Sequence, residues 1–416
     1  KPMLNKKVLQ YALKLCAALG CKIEKKIAFS RKTYFYPDMS KNYQITQFEI
    51  PLGKKGTIKL KSGKLVEIER IHIEEDPAAL VHEDGMQESQ YVLIDYNRSG
   101  IPLVEIVTTP CMNSPAEARE FLKELIKTVK YLNIFDENNG VLKADLNIST
   151  PGHPRAEIKN VSGFKEGERA LNYELVRQKM AIKMDKKPIM ETRGWDGSKT
   201  FFLRSKETEA DYGYIIDADL PQIKISKKQL DEIKKEVPEL AHIRSARYIK
   251  HHKLDPVDAE VMAMELELAE LFEIVATQIN PKLAAKWLRR ELLRVLNYNK
   301  KSLKKINLDE QQLIELLQLV EEKTISETTG QKLMEKLIGK PFSPKEYVEK
   351  NNLTQLSSDN ELEKICKQVI KEHSKAVEDY KSGNTRSFQY LIGQVMRETK
   401  GKAEPSVVNK LMKKLI

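Results

Sequence analysis

The sequence predicts an α+β protein with an antiparallel-sheet cradle domain, then an all-helical domain and a small helical tail domain. Through about residue 220, short strand-like segments alternate with turn residues and few helices, which favours an antiparallel sheet over a βαβ array. From Ser226 onward, helical periodicity takes over. A loop-like stretch, 351–358, separates the last helices from the rest. We therefore expect domains at 1–222, 223–355 and 356–416.

Composition limits the classes of function. The chain has 416 residues, of which 41% are hydrophobic, which suits a globular protein of two or three domains. A net charge of +11 favours a polyanionic partner. The four cysteines form no CxxC motif, so neither a zinc site nor a disulfide framework is expected, and a reducing, cytoplasmic location fits. No apolar run is long enough for a membrane span, so we expect no membrane partner.

The first domain is expected to combine three helices with many strands. Helices are predicted over 4–20, 114–131 and 165–184. The second begins with a capping box, because Ser114 is followed three residues later by Glu117, with Pro115 at the first helical position. Strands are predicted over 68–75, 91–96, 103–107, 141–148 and 190–195.

Acidic residues stand at unusual places in these strands. Glu74, Glu75 and Asp76 follow one another at a strand end, where they repel each other unless a cation lies nearby. Glu105 interrupts the apolar run LVEIV, and Asp145 interrupts VLKADLNI in the same way. A carboxylate in such a run is costly to bury without a partner. The pattern indicates a site for a hard metal ion with oxygen ligands, although acids at strand ends are often only solvated.

The second half is predicted to be helical throughout. Helices are expected over 230–237, 260–279, 281–298, 309–320, 359–382, 385–399 and 404–415. In the tail, one helical stripe is formed by Lys364, Lys367, Lys371 and Lys375. Such a stripe either is a solvated face or binds a polyanion. The chain has no P-loop and no dinucleotide fingerprint, so any ATP must bind in another way.

Long motifs in fixed order give a further indication. They are FYPDMSKNYQITQFEIPLG, IERIHIEED, DYNRSGIPLVEIV, ADLNIS, AEIKNVSGF, ETRGWD and, near the C-terminus, GQVMRETKGKAEPSVVNKLM. In this set and order they resemble the B subunit of aspartyl/glutamyl-tRNA(Asn/Gln) amidotransferase, the GatB family. GHPRAEIKNVSGFKEGERA is most similar to archaeal members.

The resemblance implies an ATP-dependent carbon–nitrogen ligase that acts within a complex. Such a subunit phosphorylates the side-chain carboxylate of Glu-tRNA(Gln) or Asp-tRNA(Asn), with ATP and Mg²⁺. It then amidates that carboxylate with ammonia channelled from an amidase (A) subunit, in a heterotrimer with a small C subunit. The tail domain of the family grips the tRNA, which needs phosphate-binding side chains. The tail residues expected in that role are Lys364, Lys367, Lys371, Lys375, Arg397, Lys400 and Lys402.

The resemblance also implies roles for residues of the cradle. Glu75, Glu105 and Asp145 match the catalytic positions at the metal and the channel mouth, and we expect them to converge on one Mg²⁺. Lys32 matches a catalytic lysine of the ammonia passage, close to the acid that matches Glu75. Glu74 and His72 have weaker support, and His72 is expected to be a hydrogen-bonded strand histidine.

Two departures from the family pattern leave alternatives open. The family carries a G-L-E-[IV]-H motif on a strand that would precede residue 1, and bacterial members have E-E-G-S where this chain has residues 137–140, ENNG. One alternative is the large subunit of a two-subunit archaeal Glu-tRNA(Gln) amidotransferase, although its extra domain is not found near residues 220–230. The other is a non-catalytic tRNA-binding module.

Overall fold

The computed structural model describes residues 2–83, 89–135, 140, 142–205, 213–354, 359–399 and 402–416. The chain divides into two compact units, Lys1–Leu240 and Ala241–Ile416. Sheets lie in the first unit and helices fill the second, so the predicted α+β class is confirmed.

The first unit contains all the strands that the structure describes. Its helices are α1 (Lys6–Ala18), α2 (Pro115–Tyr131), α3 (Phe164–Lys183) and α4 (Lys227–Glu236). Its strands are β1 (Lys22–Ile23), β2 (Lys26–Ile27), β3 (Ser30–Thr33), β4 (Tyr43–Thr46), β5 (Gly53–Lys59), β6 (Leu65–Glu75), β7 (Ala79–Val81), β8 (Leu93–Asp95), β9 (Pro102–Thr108), β10 (Lys143–Ile148), β11 (Ala156–Ser162), β12 (Glu191–Trp195), β13 (Thr200–Ser205), β14 (Gly213–Ile216) and β15 (Ile223–Lys224).

Within the described residues these strands form two larger sheets and three small ones. The first sheet has the order β1-β5-β6-β9 and is antiparallel throughout. The second has the order β10-β11-β12-β13, and its central pair, β11 and β12, is parallel. A parallel pair needs a crossover connection, and α3 supplies it. The small sheets are β14-β3-β4, β15-β2 and β7-β8.

Helices α1 and α2 cover the first sheet. Leu13 and Phe121 from these helices join Ile68 of β6 in one buried core. The predicted cap of α2 is present, because the Ser114 side chain accepts a hydrogen bond from the backbone N–H of Glu117. A second, smaller core lies under α3.

Strand β6 contains a bulge that changes which side chains face the core. Its pairing with β9 shifts between Ile68 and Arg70, so Glu69 is an extra residue. Before the bulge Ile68 is buried, and after it Ile71 and Ile73 are buried in the same core. The even-numbered residues after the bulge therefore point away from this core.

A buried ionic network holds α3 against the second sheet. The side chain of Glu174 is fully buried and accepts hydrogen bonds from Arg177 at 2.6 Å, Gln178 at 2.9 Å and Thr200 at 2.9 Å. Arg193 of β12 lies 3.4 Å from the same carboxylate. Buried charges are tolerated when paired and hydrogen-bonded in this way.

The second unit is helical over its described residues. Its α-helices are α5 (Ala241–His252), α6 (Pro256–Met262), α7 (Leu266–Val275), α8 (Pro281–Trp287), α9 (Leu293–Tyr298), α10 (Glu310–Glu321), α11 (Glu327–Gly339), α12 (Pro344–Lys350), α13 (Asp359–Glu372), α14 (Ser374–Lys381), α15 (Thr385–Glu398) and α16 (Pro405–Leu415). A π-helical turn, Leu288–Leu292, joins α8 to α9, and a 3₁₀ turn, Leu303–Lys305, follows α9.

The second unit has two separate hydrophobic cores. One surrounds Trp287 and Phe272 on the earlier helices, and the other joins the last four helices around Leu391. Two predicted helices are divided in the structure. The stretch 260–279 forms α6 and α7, and 359–382 breaks at His373, whose backbone leaves the helical region.

None of the helices that the structure describes is both long and apolar enough to cross a lipid bilayer.

Candidate functional site

Strands β6 and β9 bring three potential metal ligands together on one face of the first sheet. His72 lies directly opposite Glu105 in the antiparallel ladder, and Glu74 lies opposite Leu103. Paired residues point to the same face, as do residues two apart on one strand. The Nε2 atom of His72 is 3.6 Å from a carboxylate oxygen of Glu74 and 3.7 Å from one of Glu105. One ligand atom from each of these three residues can be chosen so that all lie within 4.8 Å of one another.

His72 is the most buried member of this acid cluster, His72–Glu74–Glu105. Only 4% of the residue is exposed. Its Nδ1 atom is buried and has no hydrogen-bond partner among the described residues. The expectation of a fully hydrogen-bonded strand histidine is therefore wrong for this atom. Burying a polar atom without a hydrogen-bond partner costs free energy of folding. Such an atom is typical of a site where a ligand supplies the missing partner.

The two carboxylates of the cluster stand close enough to affect each other. The pKa of Glu105 lies above its ordinary value, because partial burial penalises the charged form and Glu74 adds a like charge. The neighbouring side chains that oppose this rise in the pKa of Glu105 are His72, Lys32 and Arg70. Two acids on one face, one of them with a raised pKa, form a place where a cation would be stabilised.

Lys32 reaches the cluster from a neighbouring sheet. It lies on β3, opposite Gln44 of β4, and its Nζ atom is 5.9 Å from the ring centre of Tyr34. Its positive charge acts on Glu105. The expected neighbour of Lys32 was Glu75, but the carboxylate of Glu75 has other partners. The predicted catalytic acid on which the charge of Lys32 acts is Glu105.

Glu75 lies on the other face of β6. Its side chain accepts a hydrogen bond from the backbone N–H of Ile45 at 2.8 Å and forms an ion pair with Lys41 at 2.5 Å. Because side chains alternate along a strand, Glu75 points away from the face that carries Glu74. The structure therefore does not bring the Glu75 carboxylate into the acid cluster.

Asp145 lies in the second sheet and is not part of the cluster either. It occupies an irregularity in the pairing of β10 with β11, and its carboxylate accepts a hydrogen bond from Lys159 at 2.6 Å. The expected convergence of Glu75, Glu105 and Asp145 on one ion is thus not found among the described residues. The cause is their placement on two faces and two sheets.

Neither acid that interrupts an apolar strand is deeply buried. The side chain of Glu105 is 46% exposed and that of Asp145 is 41% exposed. Among the strands that the structure describes, β9 and β10 each lie at the edge of a sheet and pair with one neighbour. The expectation of buried carboxylates is wrong for this reason.

The predicted basic residues of the tail are distributed over four segments. Lys364, Lys367 and Lys371 are exposed on α13, Lys375 is exposed on α14, Arg397 is exposed on α15, and Lys402 is half-buried before α16. Lys367 forms an ion pair with Glu363 at 2.7 Å. Lys400 lies outside the described residues.

His72 and Glu74, which have only weak support from sequence patterns, belong with Glu105 to the acid cluster. Their spacing of two residues already places both side chains on one face of a strand. The pairing of β6 with β9, which puts Glu105 beside them, is not visible in the sequence. The bulge at Glu69, which turns this face away from the core, is not visible either.

The donor set of the cluster fits a divalent cation. Two carboxylates supply the oxygen ligands that Mg²⁺ prefers, and Mg²⁺ keeps water in its remaining positions. The imidazole of His72 adds a nitrogen that suits softer divalent ions. Glu74 and Glu105 are the residues that would hold Mg²⁺.

Fold and site together define a class of protein: an α+β domain with an acid cluster on its sheet, followed by a helical unit. A family profile described as the GatB/GatE catalytic domain matches residues 1–231, and one described as the GatB domain matches residues 270–416. The chain belongs to the GatB family.

Curated relatives match over almost the whole chain. A protein of Carboxydothermus hydrogenoformans is 38% identical over 426 residues, covering 99% of this chain and 89% of the relative. A protein of Clostridium tetani is 40% identical, covering 99% of this chain and 88% of the relative. An archaeal protein, from Sulfolobus acidocaldarius, is 40% identical, covering 99% and 89%. All three are named as the B subunit of aspartyl/glutamyl-tRNA(Asn/Gln) amidotransferase.

Proposed function

We propose that this chain is the catalytic B subunit of a tRNA-dependent amidotransferase, a ligase that converts Glu-tRNA(Gln) or Asp-tRNA(Asn) to the amide. Membership of the GatB family across both units is the observation that carries this proposal. The acid cluster of the first unit supports it, because the reaction joins negatively charged groups.

The first step is phosphoryl transfer from ATP. An oxygen of the substrate's side-chain carboxylate attacks the γ-phosphorus, ADP leaves, and an acyl phosphate remains. Mg²⁺, when bound, neutralises charge on the phosphates. Glu74 and Glu105 are the residues that would hold this cation, and His72 lies between these two acids. The predicted metal and catalytic roles of Glu75 and Asp145 stay predictions, since their carboxylates here bind Lys41 and Lys159.

The second step is attack by ammonia. Its nitrogen bonds to the acyl carbon, phosphate leaves, and one proton is released. Ammonia must arrive uncharged and separated from water, which requires a passage from a separate amidase subunit. Lys32 stands beside the cluster, where such a passage would open. The partners are therefore the A and C subunits of a cytoplasmic heterotrimer.

The helical unit provides the tRNA-binding function. The tail carries twelve Lys or Arg against eight Asp or Glu between residues 359 and 416. Its lysines on α13 and α14 are exposed, which is what contact with RNA phosphates requires. We keep the three-domain division at 1–222, 223–355 and 356–416 as part of this proposal.

A reconstituted complex tests the function. The chain is co-expressed with the A and C subunits of its own source, and Glu-tRNA(Gln) and Asp-tRNA(Asn) are supplied separately. We expect amide formation that requires ATP and either glutamine or ammonium. A complex that assembles and binds tRNA, yet forms no amide on either substrate, would favour the non-catalytic tRNA-binding alternative.

A further inference from the structure

An open cavity lies in the tail where the chain bends between α13 and α14. Its volume is about 430 Å³, and α15 forms the opposite wall. The lining residues that matter here are Glu372, His373, Lys375, Asp379, Ser387 and Tyr390. The cavity exists because the helix breaks at His373, and an uninterrupted helix over 359–382 would not form this wall.

One wall of the cavity is aromatic. Tyr390 is 49% exposed, whereas the next residue on α15, Leu391, is fully buried. The ring of His373 meets that of Tyr390 edge-on, with centres 5.5 Å apart. This contact holds the tyrosine ring in place while one part of it stays open to the cavity. An exposed, oriented ring is a platform on which a planar group can stack.

The cavity wall carries two acidic side chains besides its hydroxyl, imidazole and ammonium groups. Glu372 and Asp379 both line it, and the Glu372 carboxylate is itself positioned by a hydrogen bond from Gln368 at 2.9 Å. Two carboxylates repel a phosphate, so the cavity does not suit the backbone of a nucleic acid. They suit a planar group that carries N–H donors. Lys375 is the basic residue on the cavity wall.

The surroundings of the cavity are basic. Lys364, Lys367 and Lys371 are exposed on α13, the helix that leads into the cavity. A lysine-bearing helix beside an aromatic cavity with acidic walls offers two kinds of contact. The helix can bind phosphates while the cavity takes a base that has left its stack.

We propose that this cavity binds one unpaired nucleobase of the tRNA, and that guanine fits it best. Guanine carries an N–H and an amino group on one edge, and together these can donate to a single carboxylate, such as that of Asp379. Its face would stack on Tyr390. The proposal rests on the tRNA-binding function proposed above and adds a base contact to a surface otherwise expected to recognise phosphates alone.

Salt dependence separates this contact from phosphate binding. Binding of a tRNA transcript to the full-length chain is measured over a series of KCl concentrations. Loss of a stacked base lowers affinity without changing the number of phosphates neutralised. We expect Tyr390→Ala to weaken binding by between about fivefold and about a hundredfold with an unchanged slope of log K against log salt. Tyr390→Phe should restore the affinity, because it keeps the ring.

Two further variants complete the experiment. Tyr298→Ala removes a tyrosine that is 86% exposed at the end of α9, and it should bind like the unmodified chain. Asp379→Asn should reduce the preference for a uridine hexamer with one guanine over an all-uridine hexamer, measured by competition against the tRNA. A Tyr390→Ala variant that binds as tightly as the unmodified chain, or one whose salt slope falls, would overturn the base-binding cavity.

The outcomes also separate this inference from the proposed function. If the unmodified chain binds no tRNA, the tRNA-binding function itself is wrong. If it binds tRNA and Tyr390→Ala changes nothing, only the cavity is wrong. Circular dichroism of each variant shows that the tail helices remain folded.

Discussion

The pairing of β6 with β9 brings His72, Glu74 and Glu105 together on one face of the sheet. None of them indicates a metal site by itself. Together they place an imidazole between two carboxylates, and one nitrogen of that imidazole has no hydrogen-bond partner in the part of the chain that the structure describes. Such an arrangement is costly in a protein that does not use it.

Replacing Glu105 tests the acid cluster directly. We expect Glu105→Gln to reduce ATP-dependent amide formation at least about a hundredfold, because it removes one of the two charges proposed to hold Mg²⁺. Binding of tRNA should stay nearly unchanged, since the residue lies in the other unit from the tail. Glu67→Gln is the matched control, as Glu67 is an exposed acid on the same strand as His72. Full activity of Glu105→Gln would contradict the site.

Lys32 provides the second test at this scale. If it serves ammonia delivery, Lys32→Met should lower the glutamine-fed reaction of the complex by about tenfold or more. The reaction fed by added ammonium should be spared at least in part, because free ammonia enters from solution. Both rates are measured on one preparation. Equal loss with both nitrogen sources would indicate a structural or phosphate-binding lysine.

At the scale of secondary-structure elements, the buried ionic network between α3 and the second sheet leads to a prediction about stability. Removing one member of a buried ionic network leaves its partners without compensation. We expect Glu174→Ala to lower the free energy of unfolding of the first unit by about 3–5 kcal/mol, measured in urea. The control is Glu168→Ala, which breaks a more exposed pair with Arg119 and should cost at most about 1 kcal/mol. Equal losses of stability in the two variants would show that the buried network stabilises the protein no more than an exposed ion pair does.

The Glu174 carboxylate should also make the stability of the first unit depend on pH. Burial acts to raise the pKa of Glu174, but hydrogen bonds from Arg177 and Gln178 outweigh it and hold the pKa below its ordinary value of 4.5. A depressed pKa means that the folded state binds the proton less readily than the unfolded state. This contribution is complete above pH 4.5 and is lost as the pH falls through the folded-state pKa.

Unfolding in urea at a series of pH values checks this dependence. The unmodified chain should lose more stability on acidification below pH 4.5 than Glu174→Gln does, because the variant has no carboxylate to titrate there. If both proteins lose the same free energy of unfolding on acidification, groups other than Glu174 cause the pH dependence.

Sequence patterns predicted the helices whose ends are determined by neighbouring residues in the chain, such as capping residues. Helix α2 is an example, since Ser114 and Pro115 mark its start in the sequence and in the structure. The grouping of His72, Glu74 and Glu105 was not predicted, because it depends on the register of two strands. No local signal shows that Glu105 pairs with His72, and the resemblance directed attention to Glu75, which lies on the opposite face. The break at His373 also escaped prediction, because the apolar spacing continues through it.

At the scale of the whole molecule, we propose that the first unit carries out the chemistry and that the second unit binds tRNA. Deleting residues 359–416 should weaken tRNA binding while the first unit still folds. The slope of log K against log salt should fall by about 0.9 for each duplex phosphate contact that is lost. Binding titrations over a range of KCl measure both quantities. An unchanged affinity with an unchanged slope would remove the tail from the tRNA-binding surface.

The bulge at Glu69 has a consequence for how this protein tolerates changes in length. Deletion of that one residue would restore strict alternation along β6 without turning any side chain over, because Ile68, Ile71 and Ile73 would still face the core. Insertion of one residue between the bulge and Ile71 would instead turn His72 and Glu74 inward and Ile71 and Ile73 to solvent. The acid cluster therefore tolerates loss of the bulge but not one further residue in this stretch of the strand.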